Sequence, residues 1–147
     1  MRMRHRMIIA AAVLAAACDL GTGTSTIGVS GFGGSGAATH LVFLVQPSTT
    51  VAGAAIIPAV KVAAVSSAGS TDPTFVNSIT VALGANPGSG TLSGTTTVAA
   101  VAGVATFSNL SINNAGAGYT LVASTPTRPP ATSAAFTVTT ATPVAPR

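Results

Sequence analysis

The sequence predicts an all-β fold, a sandwich of two antiparallel sheets with about seven strands, over residues 40–140. Three observations lead there. Apolar residues recur at period two in short runs, which gives each run one dry face and one wet face. Clusters of Gly, Pro, Asn, Asp and Ser separate the runs. No stretch carries the i, i+3, i+4 stripe of an amphipathic helix.

The elements follow in chain order. Residues 41–45 (LVFLV) form a continuous apolar run closed by Pro47, which suits a strand at a sheet edge or one covered on both faces. In 59–65 (AVKVAAV), Val60 and Val62 share a face and Lys61 takes the other. Ser67-Ala-Gly69-Ser and Asp72-Pro73 then break the chain. Residues 78–83 alternate, with Ile79, Val81 and Leu83 inward and Ser78, Thr80 and Ala82 outward. A turn cluster at Asn86-Pro-Gly88-Ser-Gly90 follows, and Ala102-Gly103 reads as a tight hairpin turn. In 104–112 (VATFSNLSI) the phase breaks: Ala105 and Phe107 share a face, as do Leu110 and Ile112, one residue out of step. A bulge or a strand switch near Ser108 and Asn109 would bring both pairs to one core. Ala115-Gly-Ala-Gly118 reads as a break before Tyr119, Leu121 and Ala123, which alternate again. Pro126, Pro129 and Pro130 mark 124–133 as the last loop, and Phe136 and Val138 face inward beyond it. The predicted core is Phe43, Val60, Val62, Ile79, Val81, Leu83, Phe107, Leu110, Tyr119, Leu121, Phe136 and Val138, with Phe75 a further large filler. Tyr119 opens the penultimate strand, where a tyrosine hydroxyl is expected to bond back to the chain and pin a corner between the sheets.

The runs LVFLVQPS, PAVKVAAVSSAGS, SITVALG, GTLSG, GVATFSNLSI, AGAGYTLVAS and AAFTVT, in that order and spacing, resemble bacterial Ig-like domains of the invasin and intimin type. The resemblance spans about two-thirds of the chain, and GVATFSNLSI followed by AGAGYTL is its most telling part. It implies an immunoglobulin-like β-sandwich. One corner differs: residues 66–69 read SSAG where that family often has an Asp-x-x-Gly-like turn.

The N-terminus has a different character. Residues 1–6 (MRMRHR) are basic and 7–17 (MIIAAAVLAAA) are apolar. Eleven apolar residues fall short of the roughly 20 that span a bilayer and fit the core of a signal peptide. The run ends at Cys18, the only cysteine of the chain. An unpaired thiol is a liability in an exported protein. LAAAC followed by Asp19 resembles the lipobox of bacterial lipoproteins, and that resemblance implies lipidation of Cys18 after removal of 1–17. Plain secretion with Cys18 at or near the new N-terminus is the alternative. Residues 18–39 then form a Gly/Ser/Thr-rich tether expected to be flexible, residues 40–140 the domain, and 141–147 a short tail. A leader at one end and this tail at the other suggest a complete chain rather than one repeat of an array.

Composition excludes several functions. Beyond residue 17 there are three basic and two acidic side chains, a net charge of +1. That is no footprint for a phosphate backbone, so nucleic acid is not an expected partner. Residues 31–36 (GFGGSG) fit G-x-G-x-x-G but lack the preceding strand, the following helix and the acidic residue about 20 positions on. Beyond the leader the chain offers one histidine, His40, and two aspartates, Asp19 and Asp72, and no glutamate. A triad of His40, Asp72 and a serine has no supporting spacing, and neither a carboxylate pair nor a zinc ligand set is present. No cofactor or metal is expected. The reading is therefore a non-catalytic cell-envelope lipoprotein, held to the membrane by its N-terminal lipid and presenting one structural or interaction module. The membrane leaflet is left open. The alternative is an adhesin or carbohydrate-binding module whose partner is a surface protein or a glycan.

Overall fold

The computed structural model describes residues 36–143. The expected leader, Cys18 and most of the expected tether lie outside the described residues, as do 144–147. The described chain is all β: β1 (His40–Val45), β2 (Thr50–Val51), β3 (Val60–Val65), β4 (Ser78–Leu83), β5 (Leu92–Ser93), β6 (Thr97–Ala99), β7 (Val104–Phe107), β8 (Ser111–Ile112), β9 (Gly116–Tyr119), β10 (Leu121–Thr125), β11 (Arg128–Thr132) and β12 (Phe136–Thr139).

One layer is the antiparallel sheet β1-β3-β7. Val60 pairs with Phe107 and Val62 with Ala105, and Val62 also pairs with Phe43 on the other side. The inward face of β3 is Val60, Val62 and Ala64, all fully buried, while Lys61 is exposed. The opposite layer is assembled from the ladders β11-β10-β4-β6 and β2-β12-β9. These are one sheet, because β9 runs into β10 across Thr120 alone, and β11 into β12 across 133–135. Register carries through the interruption: Val122 opposes Thr132 on one side of it, and Ala117 opposes Thr137 on the other. Ser133 splices the gap. Its N–H donates to Leu121 O at 2.8 Å, and its hydroxyl accepts the Leu121 N–H at 2.9 Å while donating to Ala134 O. The Gln46 amide oxygen accepts the next N–H, that of Ala134, from the first layer's side.

Twelve segments replace the expected seven or so strands for identifiable reasons. Two long strands are each counted twice across these interruptions. The first strand crosses between layers, so that its continuation β2 pairs with β12, the one parallel ladder among the described residues. The small ladder β5-β8 is an addition. The phase break at Ser108 and Asn109 is a change of partner: β7 pairs with β3, and the chain beyond Asn109 pairs with β5. Leu110 and Ile112 thereby reach the same core as Ala105 and Phe107.

Two sequence expectations are corrected. Residues 124–133 are not a loop: β10 and β11 form a hairpin, and Pro129 and Pro130 lie within β11. β11 is the terminal strand of its ladder, where a missing N–H leaves no partner unsatisfied. The glycines at 116 and 118 do not break the chain either; they belong to β9, opposite β12.

Candidate functional site

Asp72 and His40 lie at one end of the sandwich, and Tyr119 with Asn86, Asn113 and Asn114 at the other. Strand directions define those ends. The start of β1, the end of β3, the starts of β4 and β7 and the end of β10 lie together at the first end. There Asp72 is buried. Its Oδ1 accepts the Thr74 hydroxyl at 2.6 Å and the Thr74 N–H at 2.9 Å, an Asx-type turn that Asp-Pro-Thr is suited to form. Its Oδ2 accepts the Ala38 N–H at 2.8 Å, just before β1 begins. The Thr74 hydroxyl holds the carboxyl below the ordinary aspartate range, with the Ala38 and Thr74 N–H groups and the charge of Arg128 adding to it. Both oxygens are thus engaged in fixing backbone.

His40 is half-buried at the start of β1, and its Nδ1 lies 3.0 Å from the Thr39 hydroxyl. His40 and Asp72 share no hydrogen bond, so the structure does not join them into a relay. Arg128, in β11, donates from Nη1 to the Thr127 carbonyl, while its Nε is buried without a partner. Among the described residues no group of three or more His, Cys, Asp or Glu side chains is placed to hold a metal ion. No pocket opens on the described surface.

The second end is held by asparagines and Tyr119. The Tyr119 hydroxyl donates to Asn114 O at 2.9 Å, five residues back, and its ring is fully buried beside Phe136. Asn114 Nδ2 reaches the Gly88 carbonyl at 3.1 Å, Asn113 Oδ1 accepts the Thr91 N–H, and Asn86 clasps Gly90 through both its amide atoms. Gly88 is required by this contact, since a Cβ there would collide with the Ala115 carbonyl and the Tyr119 hydroxyl.

Of the predicted core, Val60, Val62, Ile79, Val81, Phe107, Leu110, Tyr119, Leu121, Phe136 and Val138 are buried together, and Phe43 and Leu83 are half-buried against them. Sequence reasoning passed over Ile56, whose N–H bonds to Leu110 O from the loop before β3, and Ala38, buried by the Asp72 contact. It also missed the carboxylate clamp, for which Asp72-Pro73-Thr74 was a readable turn signal, and the splice at Ser133, for which no local pattern exists. Cys18, the predicted lipidation site, lies outside the described residues.

No known family model matches the chain. No curated protein matches it significantly either.

Proposed function

We propose that the chain is a non-catalytic lipoprotein of the cell envelope, anchored through Cys18 and presenting a single Ig-like module. One observation carries the non-catalytic part. Three of the candidate polar groups are committed to holding backbone, Asp72 to Ala38 and Thr74, Tyr119 to Asn114, and Ser133 to Leu121, while the His40 Nδ1 faces the Thr39 hydroxyl. A general acid, base or nucleophile needs a free atom facing substrate, and these side chains face the chain itself. The anchoring part is supported by the sequence alone, through MRMRHR, the apolar 7–17 run and LAAAC.

The adhesin reading has weaker support. Carbohydrate sites commonly present aromatic faces, whereas Phe75, Phe107, Tyr119 and Phe136 are buried. In its favour, Ser124, Thr80 and Thr97 line up across β10, β4 and β6, with the two threonine hydroxyls 2.9 Å apart. Saturable glycan binding that is lost on altering the hairpin at 125–133 would favour this reading.

The intact mass of protein purified from its native membrane tests the proposal. Loss of residues 1–17 with acyl chains on Cys18 is the expected result. A mature chain with an unmodified thiol would overturn the anchor.

A further inference from the structure

We propose that the first end of the sandwich is a membrane-docking surface, with Val76 and Val101 entering the interfacial layer of the same bilayer that holds the anchor. This rests on the lipid-anchored reading and adds an orientation to it. Val76 is 65% exposed and Val101 is 77% exposed, among the most exposed large apolar side chains described. They lie on two separate loops of that end. Val76 precedes β4, and Val101 opens the turn before β7. The loops are tied together, with Ala100 N–H donating to Asn77 O and Gly103 N–H to Phe75 O, both at 3.1 Å. The two valines therefore stand on a braced platform rather than on independent tips.

The occupant follows from where the chain leaves the domain. The Asp72 clamp fixes Ala38 at this same end, so the polypeptide leading to Cys18 departs from beside the valines. Ala38 lies twenty positions after Cys18, and fully extended that stretch reaches no more than about 70 Å. Two valines would hold a free protein to a bilayer only weakly. A domain already confined beside the bilayer meets it repeatedly, so a weak contact becomes populated. Charge is compatible. Asp72 is the only side-chain carboxylate of residues 36–143, and both its oxygens are covered by donors. Arg128, half-buried on the hairpin at this end with its Nη1 held by the Thr127 carbonyl, adds positive charge here. Ile57, at 72% exposure, lies on the loop before β3, at the opposite end.

The chain contains no tryptophan and one tyrosine, so Val76→Trp, Val101→Trp and Ile57→Trp each introduce a single tryptophan that can be excited apart from Tyr119. The full chain bearing each substitution is purified from membranes and reconstituted into phosphatidylcholine vesicles with brominated acyl chains. Emission at 76 and 101 is expected to shift to shorter wavelength and to be quenched by bromine, with position 57 unaffected. Equal or absent quenching at all three positions in acylated protein overturns the docking and leaves the anchor standing. Protein that carries no acyl chain and does not partition to vesicles overturns both. Amide exchange on the unsubstituted protein guards against a variant that fails to fold. Slowed exchange at 75–77 and 101–103 on vesicles, relative to detergent, supports docking, and unchanged exchange opposes it.

Discussion

The Ala38 N–H and the Asp72 carboxylate are joined by a 2.8 Å hydrogen bond across thirty-four positions of sequence. It closes the domain at the point where the first strand begins. Because the same carboxylate also accepts from Thr74, one ionised group sets both the loop after β3 and the start of β1.

Stability should therefore fall in acid. The folded-state pKa of Asp72 lies below its unfolded value, so the ionised carboxylate favours the fold at every pH above about 4. That contribution is lost as pH drops through the unfolded value towards the lower folded one. Thermal melts between pH 6 and pH 2 should show a falling midpoint. Asp72→Asn should melt lower at neutral pH and should flatten this dependence. A variant that retains the full acid slope would show that another group carries it.

Phe107 is the largest side chain of the β7 face and is fully buried between the layers. Phe107→Ala should cost about 3–5 kcal/mol, because the surrounding strands cannot close over the space. Urea unfolding measures this, and a loss under about 1 kcal/mol would contradict the packing described.

Tyr119→Phe removes the hydroxyl that bonds Asn114 O and leaves the ring in place. A loss of about 1 kcal/mol is expected. Gly88→Ala should be worse, since the added methyl meets the Ala115 carbonyl as well as the hydroxyl. Combining the two substitutions should recover only the hydroxyl's share, and a double-mutant cycle on unfolding free energies reads that coupling.

Ala102 has φ of 48° and Gly103 of 82°, and reciprocal hydrogen bonds join Val101 and Val104. These are the two positive angles of a type I′ turn, for which Asn-Gly is the preferred pair. An L-residue with a methyl side chain is disfavoured there by roughly 1–2 kcal/mol. Ala102→Asn should stabilise the domain, raising its thermal midpoint by a few degrees. A lower midpoint would mean that the turn is held by its neighbours and not by its own preference.

What the sequence made legible was the alternation. β3, β4, β10 and β12 could be phased from Val60, Ile79, Leu121 and Phe136 because each strand has one face on a common interior. The Ala102-Gly103 turn could be read for the same local reason. The phase break at Ser108 and Asn109 was visible, although only the structure identifies its new partner as β5. The hairpin holding Pro129 and Pro130 was misread because proline reports a missing donor and not whether a donor was needed. The site was less legible. The Tyr119 contact is local in sequence and was expected. The bonds from Asp72 to Ala38 and from Gln46 to Ala134 join positions 34 and 88 residues apart, and no periodicity encodes them.

The parallel ladder between β2 and β12 has a mechanical consequence. The chain enters the domain before β1 at one end and leaves after β12 at the other. Tension between those points runs along the strands, and the Thr50–Val138 and Val51–Thr139 pairs would be loaded in shear, together rather than one after another. A module wired in this way resists being pulled lengthwise better than it resists being peeled from an edge.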